Sequence, residues 1–93
     1  VIFFQAWEER EPQLRAAVRE NDAETLERVA HRIKGSALSM SAPLVAEISG
    51  ELELMGLQLR VDEADPVIER LVEAVRRFRS VFQEELAVEE FVS

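Results

Sequence analysis

One histidine occurs in this chain, His31, within Ala30-His31-Arg32-Ile33-Lys34-Gly35-Ser36-Ala37. Lys34 and Gly35 follow it at i+3 and i+4, the spacings at which helical positions stack on one face. A neutral imidazole has a free nitrogen lone pair, and phosphorus is a suitable electrophile for it. With an unperturbed pKa of about 6.5, an exposed imidazole is mostly uncharged at neutral pH. The Lys34 ammonium is placed to sit beside an anion attached to the ring. Gly35 leaves an open approach one turn away, although glycine inside a helix costs about 1 kcal/mol relative to alanine. Together these features suit a phosphoryl carrier whose electrophile and activating Mg²⁺ are supplied by a partner.

Other chemistries find little support. With no cysteine, the chain has neither a thiolate nucleophile nor a disulfide, and one histidine cannot build a His-rich zinc site. No metal site or resident cofactor is expected. There is no Gly-rich phosphate loop and no Ser-His-Asp context. Glu47 and Glu51 could suggest a di-metal carboxylate bundle, but the Glu-x-x-His motif is absent. The neighbours Glu51/Glu53 and Glu84/Glu85 read most simply as surface charge. A net charge of −8 argues against nucleic acid and against anionic lipid as partners. No apolar run reaches the length of a membrane span, and no signal peptide is visible.

The elements that must position His31 follow from hydrophobic spacing. Apolar residues are 47% and charged residues 32% of 93, a globular composition with chain enough for one core. Period-2 β-branched runs are lacking, so an all-α antiparallel four-helix bundle is expected, as one domain over 1–93. Helix one is predicted over about 1–20, with Phe3, Phe4, Trp7, Leu14 and Val18 inward and Pro12 as a kink or a restart. The three aromatic residues read as core, not as a ligand pocket. Asn21 to Glu24 has the form of a capping box opening helix two, about 22–40. Its stripe is Leu26, Val29, Ala30, Ile33, Ala37 and Met40. His31 falls outside that stripe, beside Gly35, Leu38, Glu27 and Lys34. Leu38 is apolar yet off the core face, as a docking residue would be. Gly35, Leu38, Glu27 and Arg28 are therefore the candidates for partner contact.

Ser41 is expected to cap helix three, about 42–55, with Pro43 in its first turn and Leu44, Ile48, Leu52 and Met55 inward. Gly50 reads as a weak point or a close helix approach, and Gly56 as the residue that ends the helix. Residues 56–64 read as a loop anchored by Leu57, Leu59 and Val61. Asp65-Pro66 then opens helix four, about 66–86, with Val67, Ile68, Leu71, Val75, Phe78, Phe82 and Leu86 inward. Ala87 to Ser93 loses that register and is expected to fray or to meet a partner.

The stretch from Ala30 to Ala37 resembles the histidine-containing phosphotransfer (HPt) domain, whose hallmark is H-x-[LI]-K-G-[SA]. The resemblance extends to Phe3-Phe4, Pro12 and Leu52-Glu53, and so covers most of the chain. It implies a four-helix bundle acting in a phosphorelay. His31 would take a phosphoryl group from the aspartate of one receiver domain and pass it to that of another. Lys34 would assist the phosphoryl group, and Gly35 would give the receiver room. Many members carry a glycine after the histidine-bearing helix where this chain has Ser39-Met40-Ser41. The pattern also fits the phosphotransfer domain of a chemotaxis-type kinase, phosphorylated from ATP by a kinase domain. A third reading is a bundle that binds receivers without accepting phosphate. Val1 in place of an initiating methionine suggests a segment of a longer protein. The resemblance implies a cytoplasmic setting, with tethering to a membrane-bound hybrid kinase as one arrangement.

Overall fold

A computed structural model describes residues 2–92, with side chains as far as Gln83. Helices α1 (Ile2–Arg19), α2 (Ala23–Ser39), α3 (Pro43–Leu57) and α4 (Asp65–Val92) follow one another, with a short 3₁₀ turn at Val61–Glu63 before α4. They form an all-α bundle in which α2 and α3 are the most closely packed pair. No described helix is long and apolar enough to cross a membrane.

The apolar stripes meet in one core. Leu14 of α1, Leu26 and Ile33 of α2, Leu52 of α3, and Ile68 and Leu71 of α4 are all fully buried. Burying one such side chain is worth about 1.5–3 kcal/mol, so these six hold the helices in register. Phe3, Phe4 and Trp7 are core, as their spacing predicts, and Phe3 and Phe4 pack edge-on or tilted against Phe78 and Phe82 at 5.6 to 5.8 Å between ring centres. Pro12 neither splits α1 nor restarts it. It lies exposed inside one continuous helix, and Glu8, whose carbonyl loses its donor there, is an exposed residue. Val18 is only half-buried, and Ala17 takes the inward position beside it.

The helix ends depart most from the sequence reading. Asn21 is not the cap of α2. Asp22 is, its Oδ1 accepting from the Thr25 amide at 3.1 Å and its Oδ2 from the Thr25 hydroxyl at 2.6 Å. Asn21 takes a left-handed φ of 53° instead, and Ser41 and Leu59 do the same at 56° and 57°. Each closes the preceding helix with the same pair of bonds. After α2, Ser41 N–H donates to the Leu38 carbonyl and Ala42 N–H to the Ala37 carbonyl, at 3.2 and 2.9 Å. Ser41 therefore terminates α2, and Ala42, without a side-chain bond, occupies the cap of α3.

Gly56 does not end α3, which runs to Leu57 and closes at Leu59. A Cβ on Gly56 would lie 2.8 Å from the Ala23 carbonyl oxygen and from the Glu27 backbone nitrogen and Cβ. Gly56 thus lets α3 touch the backbone of α2. Leu44 turns outward, and Val45, Ala46 and Ser49 are buried with Ile48, Leu52 and Met55. Of the expected loop anchors only Val61 is buried; Leu57 and Leu59 are exposed. Helix α4 starts at Asp65, with Ala64 accepting from the Ile68 amide at 2.9 Å, and continues past residue 86 to Val92. Ile68, Leu71, Ala74 and Val75 are its buried residues, with Val67, Phe78 and Phe82 packed against them. The side chains of Leu86 and Phe91 lie outside the described residues.

Candidate functional site

His31 stands on the outer face of α2 with 65% of its side chain exposed, as its position off the apolar stripe predicts. Helix α3 passes beside it and contributes Glu53. His31 Nδ1 lies 2.5 Å from Glu53 Oε2, and Lys34 Nζ donates to Glu53 Oε1 at 2.7 Å. One carboxylate therefore bridges the two residues that the sequence brings to one helical face. Glu53 keeps only 15% of its side chain exposed, unlike the freely solvated acid that its neighbour Glu51 suggested. The hydrogen bond from Lys34 holds its carboxyl below the usual carboxylate range. Partial burial opposes this, and the hydrogen bond from His31 adds to it.

The charge state of Glu53 fixes the proton on the imidazole. An ionised carboxylate only accepts hydrogen bonds, so Nδ1 must be the donor. In the neutral ring the lone pair is then on Nε2. Nε2 is the nitrogen not held by Glu53, on a ring that is mostly exposed.

Gly35, one turn on, is exposed, and a Cβ built there meets no atom within 4 Å. No contact inside the domain requires glycine at that position, despite its cost to the helix. Leu38 is 63% exposed on the same face. Arg28 is exposed and Glu27 half-buried, the backbone of Glu27 lying against Gly56. Gly50 of α3 lies under the Lys34 stem, where an added methyl would sit 3.5 Å from Lys34 Cδ. On the other side of His31, Arg10 of α1 donates from Nη1 to Ser36 Oγ at 3.1 Å and to the Arg32 carbonyl at 3.5 Å. A cleft of about 240 Å³ opens between α1 and α2 next to this contact, lined by Ile2, Phe3, Ala6, Arg10, Ser36, Ser39 and Met40. Among the described residues no group of three or more His, Cys, Asp or Glu side chains could hold a metal ion.

Sequence reasoning missed Glu53, Arg10 and Arg32. The pair Leu52-Glu53 was visible as part of the family resemblance. Its meeting with His31 depends on the register of α3 against α2, which no pattern within either helix encodes.

The family model for the Hpt domain matches residues 1–81. Neither the search of curated proteins nor that of solved structures finds a match. An exposed histidine in H-x-I-K-G-S on the second helix of an all-α bundle, together with this family match, settles the relationship: the chain belongs to the Hpt domain family.

Proposed function

We infer that this chain takes part in histidine phosphotransfer within a phosphorelay, as membership of the family implies. We propose that His31 is the residue that carries the phosphoryl group in this chain, that residues 1–93 work as one domain, and that the donor and acceptor are aspartates of response-regulator receiver domains. The observation that supports this best is the exposed His31 ring with Nδ1 committed to Glu53. In the forward step the Nε2 lone pair attacks the phosphorus of an aspartyl phosphate. The Nε2–P bond forms, the acyl P–O bond breaks, and aspartate leaves as carboxylate. The Nδ1 proton stays on the ring, which becomes cationic, and Glu53 faces that positive charge. Lys34 offsets the negative charge of the phosphoryl oxygens one turn away. Nothing in the domain itself activates the phosphorus, so Mg²⁺ and the electrophile belong to the partner. Reversal of the same step onto a second receiver completes the relay.

The test is transfer from receiver domains phosphorylated with acetyl phosphate. Wild-type protein should take up acid-labile, alkali-stable label, and His31→Gln should take up none. Label retained by the variant would remove His31 from the role, and absence of label from every receiver tried would remove receivers as donors.

A further inference from the structure

We infer that a partner docks on the α1 side of His31 and that this partner presents an acidic pocket, with Arg10, Arg28 and Arg32 as the groups that attract it. The inference rests on the phosphotransfer reading of His31 and adds to it a direction of approach and the charge that selects the partner.

The distribution of paired and unpaired cations carries the argument. The chain has a net charge of −8, and acids are near at hand for most of its arginines. Arg15, Arg60, Arg70, Arg76, Arg77 and Arg79 each lie within 4.0 Å of a carboxylate. Among the described residues Arg10, Arg19, Arg28 and Arg32 do not, and three of these four gather beside His31. Arg28 and Arg32 stand at i and i+4 on α2, where like charges destabilise a helix. Arg10 is added to that pair from α1, tied to a hydroxyl and a carbonyl and not to an acid. The Arg28 charge is felt by Asp22 at the N-cap of α2, but among the described residues neither Asp22 nor Glu24 nor Glu27 comes within 4.0 Å of an arginine. Across His31, the Lys34 charge is already answered by Glu53 at 2.7 Å. The positive charge without a carboxylate at ion-pair distance is therefore one-sided.

An aspartyl phosphate among metal-binding carboxylates is what such a surface fits. Guanidinium groups pair with phosphate and carboxylate in planar, bidentate geometry. The cleft beside Ile2 supplies apolar contact on the same side. Charges placed around a docking site act mainly on the association rate and on the choice of partner.

The experiment measures the second-order rate of transfer from a phosphorylated receiver that labels His31, at low and at high ionic strength. Arg28→Glu/Arg32→Glu should lower the rate about tenfold or more at low salt and remove most of its salt dependence. Arg28→Gln/Arg32→Gln should fall between this variant and wild type. Arg76→Glu/Arg77→Glu, with the same change of net charge on α4, should stay within about twofold of wild type. Equal rates for the two reversed pairs, or a wild-type rate indifferent to salt, would overturn the inference. Phosphoramidate, a small donor that releases ammonia as Nε2 is phosphorylated, separates the two failures. If it labels His31 in every folded variant while the receiver ignores the arginines, the carrier role stands and the docking side is wrong.

Discussion

The two flanks of His31 are built differently. On the α3 flank the charges are closed: Lys34 and His31 share Glu53, which is largely buried between the helices. On the α1 flank they are open: among the described residues no carboxylate lies within 4.0 Å of Arg28, Arg32 or Arg10, and a cleft lies next to Arg10. The closed flank holds a proton on a chosen nitrogen, which is a requirement of the chemistry. The open flank leaves guanidinium groups without a close carboxylate, which on the proposed reading serves recognition. On that reading, reactivity and partner choice lie on opposite sides of one side chain. Changes on one side should leave the other side's observable nearly untouched.

The largest separation should come from Glu53. Glu53→Ala removes the acceptor for Nδ1–H and the anion facing the cationic ring. A hydrogen bond to a charged group is worth about 1.5–3 kcal/mol, so transfer should slow roughly ten- to hundredfold. Salt dependence should not change, because the arginines remain. Glu53→Gln keeps an oxygen to orient the ring and should lose less. A salt dependence that disappeared with Glu53→Ala would show that the flanks are not separate. The lowered pKa of Glu53 also gives the domain a pH signature. Between its folded and its ordinary value the unfolded chain binds more protons, so stability rises with pH in that window. The contribution of Glu53 is therefore complete above the usual carboxylate pKa and is lost as the pH falls through the depressed folded value. Urea unfolding of wild type and Glu53→Gln across this range should converge on the acid side. A constant difference would place the effect elsewhere.

Two helical glycines should respond with opposite sign. Gly56→Ala puts a methyl 2.8 Å from backbone atoms of Ala23 and Glu27, which cannot swing aside, and overpacking of this kind costs about 1–3 kcal/mol. Gly35→Ala meets no atom within 4 Å and should stabilise α2 by about 1 kcal/mol. The same Gly35→Ala protein should take phosphate from a receiver more slowly, and from phosphoramidate at the wild-type rate. Unchanged receiver transfer would mean that the open space at Gly35 is not used by the partner.

These contrasts also show what the sequence made legible. The four helices, the core stripe of α2 and the outward position of His31 followed from 3.6-residue periodicity, since each depends on neighbours along one helix. Glu53 and Gly56 did not, because their meaning comes from α3 lying against α2. Glu51 and Glu53 look alike in the sequence, yet Glu51 pairs with Arg70 of α4 and Glu53 with His31 and Lys34 of α2. The turns were misread for a related reason. Asn21 and Ser41 are ordinary capping residues, and it is the closing bonds of the helix before them that draw them into the left-handed region.

The smallest effect concerns those turns. Ser41 and Leu59 bracket α3, and both hold a φ that costs a non-glycine residue about 1–2 kcal/mol. Leu59 buries almost nothing in return, being 79% exposed. Leu59→Gly and Ser41→Gly should therefore each gain stability, by about 1 kcal/mol at most once the added freedom of the unfolded chain is subtracted. The gain should appear as a higher urea midpoint at unchanged slope. Both substitutions preserve the closing bonds, so the register that carries Glu53 to His31 should survive and transfer should stay at the wild-type rate. A slower transfer in Ser41→Gly would mean that the turn after α2 helps to set that register, and the closed flank would then extend from Glu53 back to the start of α3.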